Sequence, residues 1–309
     1  MGDVLAGIHA TWELESDALV IRFDRGIRTP KLFHALRERR VPLEALASVT
    51  LTPGKRGTVV LHAVPRPGAD PLMEAAAGQL KEGSDPYRLV LPAEREPLAE
   101  HYRDELRALL AAHAGAAGAA GYEAYEGYAP GDGGVEGVAP VDRFLVAPPT
   151  GPQSFKAYDG KATFDGTSEV AFRWSWTGAS TEKWKAGDQV FSVRDLCGVE
   201  WRSPDGVDGY LRLVPRGGGP RAERPDEDPS CVVFGRYGPV HESLTFAAAV
   251  LAAIRGKDRV PVPVAAAGGE RRDPGAVAER IRHLGELHQA GLVTDAEFSA
   301  KKAELLAEL

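Results

Sequence analysis

"VPLEALASVTLTPGKRGTVVLHAVP" (residues 41–65) and "FSVRDLCGVEWRSPDGVDGYLRLVP" (residues 191–215) are the two stretches on which the reading of this chain turns. Each holds an apolar strand-like run, a turn-rich break and a second strand-like run ending in Val-Pro. At a fixed offset of 150, Leu46 aligns with Leu196, Val49 with Val199, Leu51 with Trp201, Val64 with Val214 and Pro65 with Pro215. Self-similarity at a constant offset marks an internal duplication.

The duplication extends in both directions. Upstream, "IHATWEL" (8–14) and "ALVIRFD" (18–24) flank the turn "ESD", while "KATFD" (161–165) and "EVAFRW" (169–174) flank "GTS". Downstream, "YRLVL" (87–91) and "CVVFG" (231–235) each precede a helical apolar stripe. There the offset is 144, so that Tyr102, Leu106 and Leu110 align with Phe246, Val250 and Ile254. A longer insertion in the first copy accounts for the change. Strands followed by one helix exclude a doubly wound sheet, which needs helices between its strands. The expected class is α+β, with two tandem small β-barrel or sandwich modules. A C-terminal helix closes each by covering its splayed sheet edge.

Composition places the boundaries. Residues 1–112 are the first module, 113–150 a flexible Gly/Ala-rich linker and 151–255 the second module. Residues 256–275 form a Pro/Gly-rich linker, and 276–309 a short helical hairpin. In that hairpin Val277, Ile281 and Leu284 share a helical stripe with Leu287 at its edge, and Gly291 suits a helix terminator. Thr294 and Glu297 have the spacing of a capping box. Phe298 and Leu305 begin a second stripe, with Leu292 and Leu306 beside the two. So small a hairpin cannot bury its own apolar face. Its expected role is oligomerisation or partner docking through Val277, Ile281, Leu284, Leu287, Leu292, Phe298, Leu305 and Leu306. Docking within the same chain stays open.

The paired stretches resemble the pattern of small bacterial PH-like domains. Together with the tail they resemble an actinobacterial family catalogued as domain of unknown function 4429. Residues 276–309 are similar to the short C-terminal domain known as SHOCT, matching at Ile281, Leu284, Leu287, Gly291, Leu292, Thr294, Glu297, Phe298, Lys301, Lys302, Leu305 and Leu306. Val293 stands where that pattern has Ile. The second copy departs from the first by carrying Val193 and Arg194 where the first has Leu43 and Glu44. The resemblance implies PH-like modules and, as in some PH-like domains, an open end able to meet anionic lipid headgroups.

A net charge of −7 argues against a nucleic-acid partner. The start "MGDVLAG" lacks the basic and apolar regions of a signal peptide, and no apolar run reaches membrane-spanning length, so a cytoplasmic location is expected. Cys197 and Cys231 lack metal-ligand spacing and read as two buried free thiols, with one disulfide as the alternative. "GKRG" (54–57) is a hairpin turn rather than a phosphate loop, and His283 and His288 are five apart where two helical ligands need four. No nucleophile elbow is present. Asp226, Glu227 and Asp228 sit in a Pro-rich charged loop, unlike catalytic acids held on rigid elements. No catalytic residue, metal or cofactor is assigned, and the chain is not expected to be an enzyme.

Two surfaces invite a partner. Basic residues crowd between Arg22 and Arg56, and Arg37, Arg39, Arg40, Lys55 and Arg56 are the candidate anion-binding set for a membrane surface. The competing role is a row of solvated cations that discourages edge pairing. The second copy concentrates Trp174, Trp176, Trp184 and Trp201 with Phe172 and Phe191, either as core or as a peptide-binding groove. The combined expectation is a non-enzymatic adaptor that self-associates through its tail and presents its modules to a protein or peptide. The alternative is a peripheral binder of anionic membrane acting through the basic cluster.

Overall fold

The computed structural model describes residues 3–118, 140–205, 209–218, 222–235 and 238–258. The chain divides into two compact units, Met1–Arg259 and Val260–Leu309. Both copies of the repeat lie in the first unit. The tail residues Val277 to Leu306 fall outside the described residues.

In the first copy, β1 (Asp3–Ala6), β2 (Ala10–Leu14), β3 (Ala18–Phe23), α1 (Lys31–Leu36) and β4 (Glu38–Pro42) are followed by β5 (Leu46–Pro53) and β6 (Thr58–Pro65). Then come α2 (Pro71–Ala76), β7 (Arg88–Pro92) and the long α3 (Glu96–Gly118). The second copy runs β8 (Gln153–Lys156), β9 (Gly160–Phe164), β10 (Glu169–Trp174), α4 (Thr181–Ala186), β11 (Gln189–Ser192), β12 (Leu196–Arg202), β13 (Gly209–Pro215), β14 (Cys231–Gly235) and α5 (Val240–Asp258). Each copy builds one four-stranded and one three-stranded antiparallel sheet, β1-β2-β3-β4 with β5-β6-β7, and β8-β9-β10-β11 with β12-β13-β14. The fold is therefore mixed α+β, as the alternating pattern implies.

A closed barrel does not form among the described residues. The two sheets of the first copy meet at a single bridge, Ile8 to Val90, because His9 turns into the left-handed region (φ 70°) and leads the chain away. At the other corner β4 ends in Pro42, which has no N–H to donate, and a single 3-10 turn, Leu43–Ala45, re-aims the chain into β5. The apolar run that opens residues 41–65 is thus not one strand but the end of β4, a corner and β5. Val193–Asp195 makes the same corner in the second copy. The sheets remain open and face a shared apolar core. In the first copy that core holds Leu5, Trp12, Ile21, Val41, Val49, Leu61 and Leu89, with Tyr102 and Leu106 of α3 against it.

The duplication persists at the level of single hydrogen bonds. Arg66 N–H donates to the carbonyl of Ala45 at 2.8 Å, and Arg216 N–H to that of Asp195 at 2.7 Å. Ala47 and Cys197 are both β-bulges, each left without a cross-strand partner. Asp85 and Asp228, each before a proline, cap the backbone N–H two residues on and pair with a base on the neighbouring strand, His62 and Arg212 respectively.

What the copies do not share joins them. The insertion in the first copy carries α2, which has no counterpart among the described residues of the second. Asp70 caps this helix, accepting from Leu72 N–H at 2.9 Å, with Pro71 in the first turn. Leu72, Ala75 and Ala76 then lie in the second copy's core with Phe246, Val250 and Ile254 of α5, as does Leu32 of α1. Gln79 spans the junction, donating to the carbonyl of Trp201 at 3.0 Å and accepting from Ser203 N–H at 3.1 Å. Arg255 of α5 reaches Glu74 at 2.6 Å and lies over the Phe144 ring at 4.3 Å.

The boundary expected at residue 112 falls inside α3, which continues to Gly118. Part of the span read as linker is packed: Val146 is buried in the first copy's core, and Leu145 and Val146 both donate to the carbonyl of Ala69.

A core shared between copies should make unfolding of residues 1–259 one cooperative event. We expect far-ultraviolet circular dichroism and tryptophan fluorescence to give coincident denaturation curves. Leu72→Ala should lower stability by about 2–5 kcal/mol. Two separated transitions in the wild type would contradict the shared core.

Candidate partner-docking surface

The basic residues predicted as an anion site are dispersed by the fold. Alternation along β3 and β4 sends Arg22 and Arg40 to the solvent face, where acids meet them. Arg22 pairs with Glu13 and with Glu38 at 2.8 Å, and Arg40 with Glu15 and with Asp17 at 2.8 Å. Arg39 points the other way and is buried. It donates to Asp70 at 2.7 Å and lies 5.7 Å from the centre of the Tyr87 ring, whose hydroxyl donates to Asp70 at 2.9 Å. Burial opposes the Arg39 charge, but Asp70 and Tyr87 outweigh it and hold the guanidinium above its ordinary pKa. Burial first, then Asp70, pushes the Tyr87 phenol well above its usual range. Arg39 therefore anchors α2 and is closed to an external anion, a correction to the predicted set. Lys55 sits 4.0 Å from Glu82 beside the exposed Arg56 on the β5–β6 turn, while Arg37 closes α1 with φ 59°. The five predicted residues are spread over a buried position, a strand face, a helix end and a hairpin tip.

The second copy holds a different polar centre. Lys183 on α4 is fully buried and contacts Asp159 at 2.5 Å, the carbonyl of Cys231 at 2.7 Å and the face of Trp174 at 4.9 Å. Asp159 also accepts from Val233 N–H at 2.9 Å. Desolvation raises the Asp159 carboxyl above its ordinary value against the opposing pull of Lys183. At the corresponding place in the first copy, 150 residues earlier, stands Phe33, stacked on Phe23 at 4.5 Å. The amine is saturated by its neighbours and is placed as a strut rather than a nucleophile. Nothing in the sequence marks this pair, because the Asp and Lys sit in unrelated turn and helix contexts. The Asp70–Pro71 cap of α2, by contrast, carries the usual helix-start signature.

Neither cysteine is bonded to the other. Cys231 is buried, as expected, and burial pushes its thiol up to about 12. Cys197 is exposed, against expectation, because the β-bulge turns its side chain outward. Among the described residues no group of His, Cys, Asp and Glu is arranged to hold a metal ion.

The aromatics separate into two sets. Trp201 and Phe172 are core residues, and Trp174 packs against that core while donating to the carbonyl of Gly187 at 2.7 Å. Strand β10 ends at Trp174, so Trp176 lies in the following loop rather than on a shared strand face. There it is 84 % exposed, edge-on to Trp184 of α4 with ring centres 5.3 Å apart. The loop runs closely against Tyr158, itself 69 % exposed, since a side chain at Gly178 would meet the Tyr158 carbonyl at 2.0 Å. A cleft of about 560 Å³ opens beside Tyr158, with Asp159, Ser180, Tyr210 and Arg224 on its walls. Arg224 is already paired with Asp226 and Glu227. The buried Lys183–Asp159 pair thus lies next in sequence to two exposed aromatics, Trp184, which is paired with Trp176, and Tyr158.

A family model described as "Domain of unknown function (DUF4429)" matches residues 12–107 and 162–251. A second, described as "Short C-terminal domain" (SHOCT), matches residues 279–306. No curated protein matches the chain.

With Cys197 outside and Cys231 inside, a thiol reagent should modify one cysteine of the native protein and both after unfolding. Rapid modification of Cys231 in the folded state would contradict its placement. Asp159→Ala should cost about 3–5 kcal/mol by leaving Lys183 buried and uncompensated. Denaturation of the Asp159→Ala/Lys183→Met double variant should recover much of that loss.

Proposed function

The chain belongs to the DUF4429 family, its two matched segments being the two copies of the repeat, and on that premise we propose that it is a non-enzymatic adaptor. The copies are read as PH-like modules, a reading supported in each by four-plus-three antiparallel strands followed by a helix. The observation that carries the proposal is the exposed aromatic surface of Tyr158, Trp176 and Trp184. Large aromatic side chains held rigid and open to solvent are the commonest anchors of protein–protein contacts. The buried ionisable groups adjacent in sequence to Trp184 and Tyr158, Lys183 and Asp159, are consumed in structural contacts. A protein or peptide segment docks on this surface, and the SHOCT tail assembles several copies, so that weak contacts gain avidity.

The membrane alternative in its original form is weakened, since Arg22, Arg39 and Arg40 are each engaged by acids within the fold.

Light scattering behind a sizing column tests the assembly half of the reading. The full chain should be oligomeric and a chain ending at Asp273 monomeric. Monomers in both cases would remove self-association by the tail. Trp176→Ser/Trp184→Ser should leave the melting temperature nearly unchanged while abolishing capture of protein partners. Undiminished capture would remove the aromatic surface from the proposal.

A further inference from the structure

Strand β11 ends its sheet, so one side of its backbone has no partner strand among the described residues. Val193 N–H donates to the carbonyl of Ser168 at 2.8 Å. Alternation along an antiparallel ladder then turns the peptide groups of Phe191 towards β10 and those of Val190 and Ser192 away from it. The Val190 side chain is 64 % exposed, and no residue of β11 is charged. The first copy protects the same positions. Its outward-facing residues on β4 are Arg40 and Pro42, 150 places earlier. Pro42 has no N–H to offer a further strand, and Arg40 is engaged by Glu15 and Asp17. Charge and proline are common guards of a sheet edge, and β11 has neither.

A cleft of about 520 Å³ lies beside this edge, with Val190, Ser192, Arg194 and Lys257 on its walls. Lys257 stands in the last turn of α5, so the chain leaves that helix near the Ser192 end of β11. The residues that follow α5 read Arg-Val-Pro-Val-Pro-Val, 259–264. In an extended strand alternate residues turn their peptide groups to the same side. An extended Val260, Val262 and Val264 would share one side, and Pro261 and Pro263 the other. A strand that pairs on one side only tolerates proline at the positions facing away, and a residue before proline is itself held extended. The prolines, read from composition as linker punctuation, thus have the spacing of a one-sided strand.

We propose that residues 260–264 are the strand that completes this sheet, antiparallel to β11, with Val260 opposite Ser192 and Val262 opposite Val190. The direction follows from where α5 ends, and the three residues from Lys257 to Val260 supply about 10 Å of extended chain to reach the edge. In this register the Val262 side chain lies beside Val190 on one face and covers it. The new outer side carries Pro261 and Pro263, so the added strand ends the sheet instead of passing an open edge on. Tethering favours this occupant over a strand from another molecule, because a short link sets a local concentration on the order of millimolar. The inference goes beyond the adaptor reading and is separable from it, since it involves neither Trp176 nor the SHOCT segment.

Hydrogen exchange of the full chain, read at single amides, tests it. The Val190 and Ser192 amides should be protected in the wild type. Val260→Pro/Val262→Pro removes the inward donors and should speed exchange at both amides about tenfold. Pro261→Ala/Pro263→Ala changes only the outward side and should leave exchange within about twofold. All four positions follow α5, so melting temperatures should match the wild type and verify folding. Wild-type exchange at Val190 as fast as in Val260→Pro/Val262→Pro overturns the inference. Oxidation of Val190→Cys/Val262→Cys in a Cys197→Ser background gives a second reading, since opposed Cα atoms about 5.5 Å apart are within disulfide range. A bond within one molecule supports the pairing. A bond between two molecules would assign the edge to a second copy, and no bond would leave it open; either result overturns the inference.

Discussion

The carboxylate of Asp70 is the constraint around which the body of this protein is organised. It is buried, and it accepts from Leu72 N–H, the Arg39 guanidinium and the Tyr87 hydroxyl together. Those contacts start α2, fix β4 and hold the strand that leads into α3. A carboxylate so placed must be fully hydrogen-bonded to be tolerated at all, which gives the insertion one geometry. The far side of α2 then has a defined direction, and its Leu72 and Ala76 enter the second copy's core. The duplicated halves are fused by the element that was not duplicated.

Relieved of the need to be identical, the copies settle the same corner in opposite ways. The first fills it with the Phe23–Phe33 stack, and the second with Lys183 between Asp159 and the Cys231 carbonyl. An ion pair in a core adds little stability compared with well-packed apolar groups. What it supplies is a preferred orientation for α4 and hence for Trp184 at the surface.

The repeat, its central strands and the two long helices were legible in the sequence because they rest on periodicity and on a constant offset, whereas the first strand of each copy was not. Of the two forms expected, barrel or sandwich, the closed barrel is not formed, because at Pro42 and His9 one missing donor and one left-handed residue open the corners. Periodicity carries no information about either. The basic cluster was legible as composition but not as a surface, since strand alternation buries Arg39 while exposing Arg40. Trp176 was legible as one of a group of aromatics but not as an exposed loop residue, since composition does not say which of them the core takes. The Lys183–Asp159 contact joins residues 24 apart, with nothing local to announce it.

Gln79 has a consequence of its own. Its carboxamide both donates and accepts at the end of the outer strand β12, at Trp201 and at Ser203 just beyond it, as a neighbouring peptide group would. A side chain thus imitates one rung of a further strand. Asn has the same two functions on a shorter arm, and Glu has the length but no donor, so neither reproduces the two-point fit. The rung occupies the end of an edge that would otherwise be a template for another chain. It also measures distance: a slip of a single residue in β12 would turn both bonding groups to the other side and break the two-point fit. Gln79 is therefore a gauge of register between the halves of the molecule, read through two hydrogen bonds.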